Sequence, residues 1–168
     1  MRYFSALILL SALLVAGCGY KLGEIRPTPM RSVRSLAVPT FKNRTYEPRV
    51  EALFADSLTK RLQQDGTYQI TYEDKADAVV ECTIIQLERA AMRSVDNNVL
   101  ATSEFRLRAR ADFVVRDRVT GAILMQGQAW GDTSFFSGND LQTIERQAIS
   151  LAAANLAEDI TTRLTEGF

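Results

Sequence analysis

The most regular alternation of hydrophobic and polar positions in the chain lies between residues 105 and 113. Five apolar side chains occupy every second position: Phe105, Leu107, Ala109, Ala111 and Phe113. The positions between them carry Arg106, Arg108, Arg110 and Asp112. A period of two residues is typical of a β-strand with one packed face and one solvated face. The pattern therefore predicts a sheet that leaves an arginine-bearing face open to solvent.

Two other stretches have apolar positions three and four residues apart, which is typical of amphipathic helices. The first covers residues 49–65, and Gly66 is suitably placed to end it. The second runs from Leu141 to about residue 165, with Asn139 or Asp140 as its N-cap. The sequence thus predicts one helix near the middle of the chain and one at its end.

Further strands are predicted over residues 35–41, 68–72, 78–89 and 122–133, the last containing Trp130, which we expect in the core. Proline cannot donate a backbone hydrogen bond, so the strand with Pro39 should lie at a sheet edge or end near that residue. In the third strand the apolar set changes from Ile84 and its alternate neighbours to Ile85 and Leu87. This change predicts a β-bulge near Ile85 or Gln86.

The element order is therefore β-α-β-β-β-β-α, or one strand shorter. A right-handed crossover puts the first helix on one face of the sheet, and the last helix should join it because the arginine-bearing face is poor packing material. We predict an α+β two-layer sandwich: a mixed, mostly antiparallel sheet of four or five strands with two helices packed on one face. One domain, residues 35–168, should contain these elements.

The N-terminal segment has the layout of a secretory signal. Arg2 precedes an apolar run of about ten residues, which is too short to span a bilayer, and Ala16 and Gly17 then lead to Cys18. The string from Val15 to Cys18 resembles the lipobox of bacterial lipoproteins, which predicts that residues 1–17 are removed and Cys18 is acylated. Residues 18–34, rich in Gly, Pro and charges, are then a lipidated N-terminus and tether. By resemblance to the sorting rule of enteric lipoproteins, Gly19 rather than Asp after the cysteine favours the outer membrane, with the domain facing the periplasm.

The composition excludes several function classes. The chain has no histidine, which removes the commonest general base and histidine-containing metal sites, and it has no Gly-rich phosphate-binding motif. Lys plus Arg and Asp plus Glu both number 20, so a globally basic nucleic-acid binder is not indicated. Cys82 lies in an apolar strand pattern and is predicted to be a small buried hydrophobe. We therefore expect no enzyme, no cofactor, no metal and no nucleic-acid partner.

The ordered chain resembles the family of lipopolysaccharide-assembly lipoproteins, LptE. The resemblance depends on a combination of segments rather than on one specific motif, and it covers nearly the whole mature chain. The matching segments are Cys18–Leu22, Leu36–Thr45 before an amphipathic helix, Ala76–Ala78 at the start of a long strand, the Asp117–Gly121 turn and the Ala-rich terminal helix.

The resemblance implies a non-enzymatic outer-membrane lipoprotein. It would assist assembly of a β-barrel lipopolysaccharide translocon, plug that barrel, contact lipopolysaccharide and be held to the membrane by N-terminal acyl chains. The segment around Pro39 and Phe41 also resembles other envelope lipoproteins. The alternative is therefore a lipoprotein that regulates a cell-wall synthesis enzyme or another transport system.

The arginines are the candidate lipopolysaccharide site. Arg106, Arg108 and Arg110 project from one strand face about 7 Å apart, and Arg89 and Arg93 on the preceding strand are expected to flank them. The planar guanidinium suits phosphate groups. The alternative is a solvated face crossed by salt bridges to Glu81, Glu88 or Asp112.

Two further groups are candidate partner contacts. Asn43, Arg44 and Thr45 match the family segment, but the same residues could serve only to fix a strand-to-helix turn. Phe135 and Phe136 are placed between the last strand and the last helix. They would contact a barrel wall or acyl chains, or else fill the core.

Overall fold

The computed structural model describes residues 26–95, 98–138 and 140–167. It confirms the predicted α+β sandwich, with six strands rather than four or five. A 3₁₀ turn at Thr28–Met30 precedes them. The strands are β1 (Ser35–Ala37), β2 (Lys42–Asn43), β3 (Gln69–Ile70), β4 (Ala78–Val95), β5 (Asn98–Asp117) and β6 (Ile123–Phe136). The helices are α1 (Glu51–Asp65) and α2 (Leu141–Glu166).

The sheet is mixed, with strand order β3-β1-β4-β5-β6 and β2 also paired with β4. Strand β1 pairs in parallel with β3 and β4, and β2 also pairs in parallel with β4. Strands β4, β5 and β6 form an antiparallel meander. Strand β1 ends at Ala37, two residues before Pro39, as the missing N–H of proline predicts. It does not lie at the edge, because β3 occupies that position.

The predicted β-bulge is present at Ile85. Ile84 pairs with Ala111 and Gln86 pairs with Arg110, so Ile85 is the additional residue in β4. The inserted residue moves the following side chains of β4, as far as Ala91, to the opposite face. Odd-numbered residues such as Leu87 therefore replace even-numbered residues such as Ile84 on the core side.

Helix α2 packs very closely on β6 and β5. Its buried side is rich in small residues: Ala148, Ala152, Ala153 and Ala157. On β6 the contact point is Gly131, where an added Cβ would overlap the carbonyl oxygen of Ala152 and lie 2.6 Å from the backbone nitrogen of Leu156. A residue without a side chain is needed there because backbone meets backbone.

The residue that ends α1 and the residue that begins α2 are those that the sequence predicts. Gly66 follows α1 with φ of 77°, and its N–H donates to the carbonyl oxygen of Leu62. Asp140 is the N-cap of α2, since its carboxylate accepts a hydrogen bond of 3.1 Å from the N–H of Thr143. Asn139, the other candidate cap, lies outside the described residues.

Strand β6 is longer than expected, and three of its aromatic residues lie in other positions than the sequence predicted. Phe135 and Phe136 are its last residues rather than part of a loop. Phe135 is buried and stacks on Phe105 with ring centroids 5.5 Å apart, whereas Phe136 faces the other way and is 62% exposed. Trp130 is not a core residue but is 39% exposed, because it shares a sheet face with Arg110.

The segment before β1 packs on the domain. Met30 and Val33 are buried, and the Arg26 guanidinium donates to the carbonyl oxygen of Val33. Pro27 lies beside Gly167, which ends α2. The described chain therefore begins at the end of the domain where α2 finishes.

Candidate functional site

The face of β4, β5 and β6 that points away from the helices is called the open face here. It carries the predicted arginine row, Arg106, Arg108 and Arg110, along the central strand β5. Strand β6 places Ser134, Asp132 and Trp130 beside these arginines, in that order. Strand β4 places Ala90, Glu88 and Gln86 on their other side. The three arginines have different environments.

Arg108 is held by an ion pair. Its Nε and Nη2 donate to the two carboxylate oxygens of Asp132 at 2.9 and 3.3 Å. The hydrogen bonds to Asp132 raise the pKa of Arg108, with a smaller contribution from Glu88. A salt bridge on this face was the alternative considered from the sequence, but Asp132 was not among its expected partners. Glu81, which was, pairs with Arg116 instead at 3.3 Å.

Arg110 lies against Trp130. Its guanidinium carbon is 5.1 Å from the ring centroid, and that of Arg108 is 6.0 Å away. These distances are within the range of cation–π attraction. The Nε of Arg110 and the Oδ1 of Asp112 are buried with no hydrogen-bond partner among the described residues. Buried polar atoms are usually paired, so this part of the open face retains unused hydrogen-bonding capacity.

Arg106 is exposed and forms no ion pair within the part of the chain that the structure describes. It lines a shallow cleft of about 160 Å³ together with Gln86, Glu88, Ala90 and Arg108. Its guanidinium is thus the most available cation of the row.

Of the two arginines predicted to flank this row, Arg89 does not extend it. Arg89 lies on the helix side because the bulge at Ile85 reverses the direction of its side chain. There it pairs with Glu145 of α2 at 3.1 Å and lies over the ring of Phe105. The side chain of Arg93 lies outside the described residues.

Asn43 and Thr45 form the turn that leads into α1. The amide of Asn43 donates to the carbonyl oxygen of Glu47 at 2.8 Å and to the carboxylate of Glu51 at 3.1 Å. Its Oδ1 accepts from both the N–H and the hydroxyl of Thr45. These contacts give Asn43 and Thr45 a structural role.

Arg44 differs from its two neighbours because its side chain is exposed. Its N–H donates to the carbonyl oxygen of Ile84, which continues the pairing of β2 with β4. With the fully exposed Tyr46 it lines a cleft of about 250 Å³ along β4. This cleft shares Gln86 and Glu88 with the cleft at Arg106, so the two sites predicted separately are neighbours.

The described residues offer little reactive chemistry. Cys82 is buried as predicted, and this burial raises the pKa of its thiol, which disfavours the thiolate. No group of three or more Asp, Glu or Cys residues within the described ranges could hold a metal ion. No described helix is both long enough and apolar enough to cross a bilayer.

Comparison with known families identifies the chain. The model of the lipopolysaccharide-assembly family LptE matches residues 33–164, which include every described strand, helix α1 and all but the last two residues of α2. The protein belongs to the LptE family. It is thus a lipopolysaccharide-assembly lipoprotein, as the sequence resemblance indicated. A comparison with curated proteins finds no match.

Several solved structures share the fold at low sequence identity. The hypothetical protein CT253 of Chlamydia trachomatis is 13% identical with a TM-score of 0.56, over 80% of this chain and 96% of that one. A minor lipoprotein of Acinetobacter baumannii is 17% identical with a TM-score of 0.52, over 80% and 94%. The PelC dodecamer of Paraburkholderia phytofirmans is 15% identical with a TM-score of 0.51, over 78% and 86%. At these identities the likeness extends to the fold only.

Trp130 and Phe136 are the open-face residues that the sequence analysis misplaced. A signal for Trp130 was available in β6 itself. Small residues occupy the odd positions Gly127, Ala129 and Gly131, whereas Gln128 and Asp132 flank Trp130 at the even positions. A two-residue period therefore assigns the tryptophan to the polar face.

Proposed function

We propose that this protein is an outer-membrane lipoprotein, acylated at Cys18 and facing the periplasm. In this proposal it assists assembly of a β-barrel lipopolysaccharide translocon, plugs that barrel and contacts lipopolysaccharide through the open face. The observation that supports this proposal most directly is the open face, where three arginines and two exposed aromatic side chains share one surface.

The chemistry of this face fits a phosphorylated and acylated glycolipid. Guanidinium groups bind phosphates through paired hydrogen bonds, and the exposed Arg106 is available for this. Trp130 and Phe136 add apolar surface on which sugar rings or acyl chains can pack. Cationic and apolar groups on one surface match the two parts of a lipid A molecule.

Acylation of Cys18 supplies the membrane attachment. Seven residues, 19–25, separate this cysteine from Arg26, and an extended chain of that length spans at most about 25 Å. The end of the domain that contains Arg26 and the end of α2 would therefore stay close to the membrane. More than one acyl chain is needed for firm attachment, because each buried CH₂ contributes only about 0.8 kcal/mol.

The function is tested by affinity purification of the full-length tagged chain from its own envelope in mild detergent. We expect a large β-barrel protein to be recovered with it in stable proportion. A matched chain with Cys18→Ser should be recovered with less of it, because it lacks the acyl chains. Recovery of a cell-wall transpeptidase instead of a barrel would contradict the proposal and support the regulatory alternative.

The lipid contact is tested with a triple variant, Arg106→Glu, Arg108→Glu and Arg110→Glu. We expect weaker binding of lipopolysaccharide micelles, since the loss of one charge-assisted contact of about 1.5 kcal/mol lowers affinity about tenfold. The binding of the wild-type chain should weaken with salt. Arg106→Glu alone should show part of the loss without disturbing the pair between Arg108 and Asp132.

The control carries the same change of charge on other surfaces, at Arg31, Lys60 and Arg146, all exposed and outside the open face. Its binding should remain close to that of the wild-type chain. If both triple variants lose binding equally, the effect is one of net charge and the open face has no specific role.

A further inference from the structure

Strand β6 forms one edge of the sheet, and no other strand among residues 26–95, 98–138 and 140–167 pairs with its outer side. Its pairing with β5 is regular from Met125 to Phe136. Even-numbered residues of β6 therefore direct their backbone N–H and C=O groups away from β5. Such an edge is a template for the addition of a strand from another chain.

From Met125 to Phe136, strand β6 lacks the usual means of preventing this addition, because its one bulge, at Leu124, lies before this stretch. The strand is 14 residues long and contains no Lys, Arg or Pro. Asp132 is its one charged residue. The flanking even positions are Gln126, Gln128 and Ser134, which are polar but uncharged. Natural edge strands commonly use lysine, proline or a bulge for protection, so another device is needed here.

Helix α2 supplies two side chains that each occupy one outward backbone group, on the neighbouring outward-facing residues Trp130 and Asp132 of β6. The N–H of Trp130 donates to the Oδ2 of Asp159 at 2.9 Å. The amide of Asn155 donates to the carbonyl oxygen of Asp132 at 2.7 Å. The second oxygen of Asp159 accepts from the Nε of Arg163 at 2.9 Å, which helps to hold the carboxylate in this position.

Gly131 makes these contacts possible. It lies between the two bonded residues, and its missing side chain lets the backbone of α2 approach β6 around Ala152 and Leu156. At a larger separation, side chains as short as Asp and Asn could not reach the strand. The glycine and the two polar residues therefore act together.

We propose that Asp159 and Asn155 block the β6 edge against pairing with the β6 edge of a second copy of this chain. Two such edges are complementary in antiparallel register, because each copy would present the same groups about a two-fold axis near Gly131. Such pairing needs the N–H of Trp130 and the carbonyl oxygen of Asp132, and α2 already occupies both of these groups. The block is intramolecular and independent of the lipopolysaccharide contact.

The test uses the full-length chain in detergent with Asn155→Ala and Asp159→Ala combined. Alanine favours helices, so α2 should be retained. We expect a shift from one chain per particle to two in sedimentation velocity, whereas the wild-type chain stays monomeric. In the monomeric wild type, hydrogen exchange at the Trp130 amide should be slow. The control, Gln147→Ala with Glu158→Ala, also removes one amide and one carboxylate from α2, and it should remain monomeric.

Adding Gln128→Pro to the double variant identifies the contact. The N–H of Gln128 points away from β5, so proline removes no hydrogen bond within the sheet but obstructs an added strand. We expect the monomer to be restored. A double variant that stays monomeric would overturn the proposal, as would a dimer that persists with proline or one that also forms in the control.

Discussion

Gly131 is the residue at which α2 comes closest to the sheet. Its position makes the whole contact between the helix and β6 sensitive to one methyl group, because the neighbouring atoms belong to the backbone of α2 and cannot rotate away. Gly127, four residues earlier on the same face, meets only the ring of Phe113, at 3.1 Å. The two glycines therefore differ in what a side chain would meet.

We expect Gly131→Ala to lower the free energy of unfolding by about 1–3 kcal/mol or more, because α2 must shift. Gly127→Ala should cost less than about 1 kcal/mol, since the Phe113 ring can move by a few tenths of an ångström. Urea unfolding followed by circular dichroism measures both. Equal losses in the two variants would contradict the proposed backbone contact.

Asp77 joins the start of β1 to the start of β4. Its Oδ2 accepts from the backbone N–H groups of Arg34 and Ser35, both at 2.9 Å. These bonds, the one from Arg34 first, lower the pKa of Asp77 below its ordinary value. A lowered pKa in the folded state means that the charged carboxylate is favoured by folding.

The contribution of Asp77 should therefore be complete above its ordinary pKa of about 3.9 and lost as the pH falls through the lower folded value. In Asp77→Asn, which keeps an acceptor oxygen but not the charge, the unfolding free energy should change less between about pH 5 and pH 3. Some dependence should remain, since Asp117 and Asp140 also have lowered pKa values. An unchanged slope in the variant would contradict this role.

At the scale of elements, the turn from β2 into α1 is held by side chains rather than by a regular cap. The N-cap position, Val50, makes no side-chain hydrogen bond, and Arg49 before it has a positive φ of 63°. This conformation is uncommon for a residue other than glycine. The hydrogen bonds of Asn43 to Glu47 and Glu51 close the turn across these residues.

Asn43→Ala should therefore lower the free energy of unfolding by about 1–2 kcal/mol, as the loss of a helix cap does. Arg44→Ala should leave it nearly unchanged because the side chain is exposed. Thermal unfolding of both variants and of the wild-type chain measures these losses of stability. A larger effect at Arg44 than at Asn43 would reverse the roles assigned here.

Long elements with a clear period could be predicted well from the sequence, whereas short ones were predicted with wrong bounds or missed. Both helices and β5 are long enough to establish a pattern, and the change of pattern along β4 showed the bulge at Ile85. Strands β1 and β3 lie within the predicted ranges 35–41 and 68–72 but are shorter, and β2 was missed because it exists through pairing with β4, which the local sequence does not encode. The side of Arg89 could have been derived by following the bulge forward along β4, since one inserted residue reverses the side chains after it until the next irregularity.

Only part of the candidate site could be predicted, because the pattern within one strand does not give its register with the neighbouring strands. The arginine row followed from the alternation in β5, but its neighbours depend on the register between strands. Only the pairing of β5 with β6 brings Asp132 to Arg108 and Trp130 to Arg110. Without that register, the sequence does not show which arginine is held in an ion pair and which is available to a ligand.

For the whole molecule, the two faces of the sheet have separate roles. The helix-covered face provides the core, and the open face carries Arg106, Trp130 and Phe136 to solvent. Membership of the LptE family and the proposed acylation of Cys18 would put the domain at the membrane in which lipopolysaccharide is assembled. The central claim is that the open face, rather than the helical layer, contacts this lipid.

The most direct measurement is photo-crosslinking in living cells. A photoreactive amino acid replaces Ser134, which lies beside Arg106 on the open face, or Gln147, which is exposed on α2. Both variants keep all three arginines of the row. We expect a lipopolysaccharide adduct from position 134 and none from position 147. No adduct at 134, or equal adducts at both positions, would contradict the account.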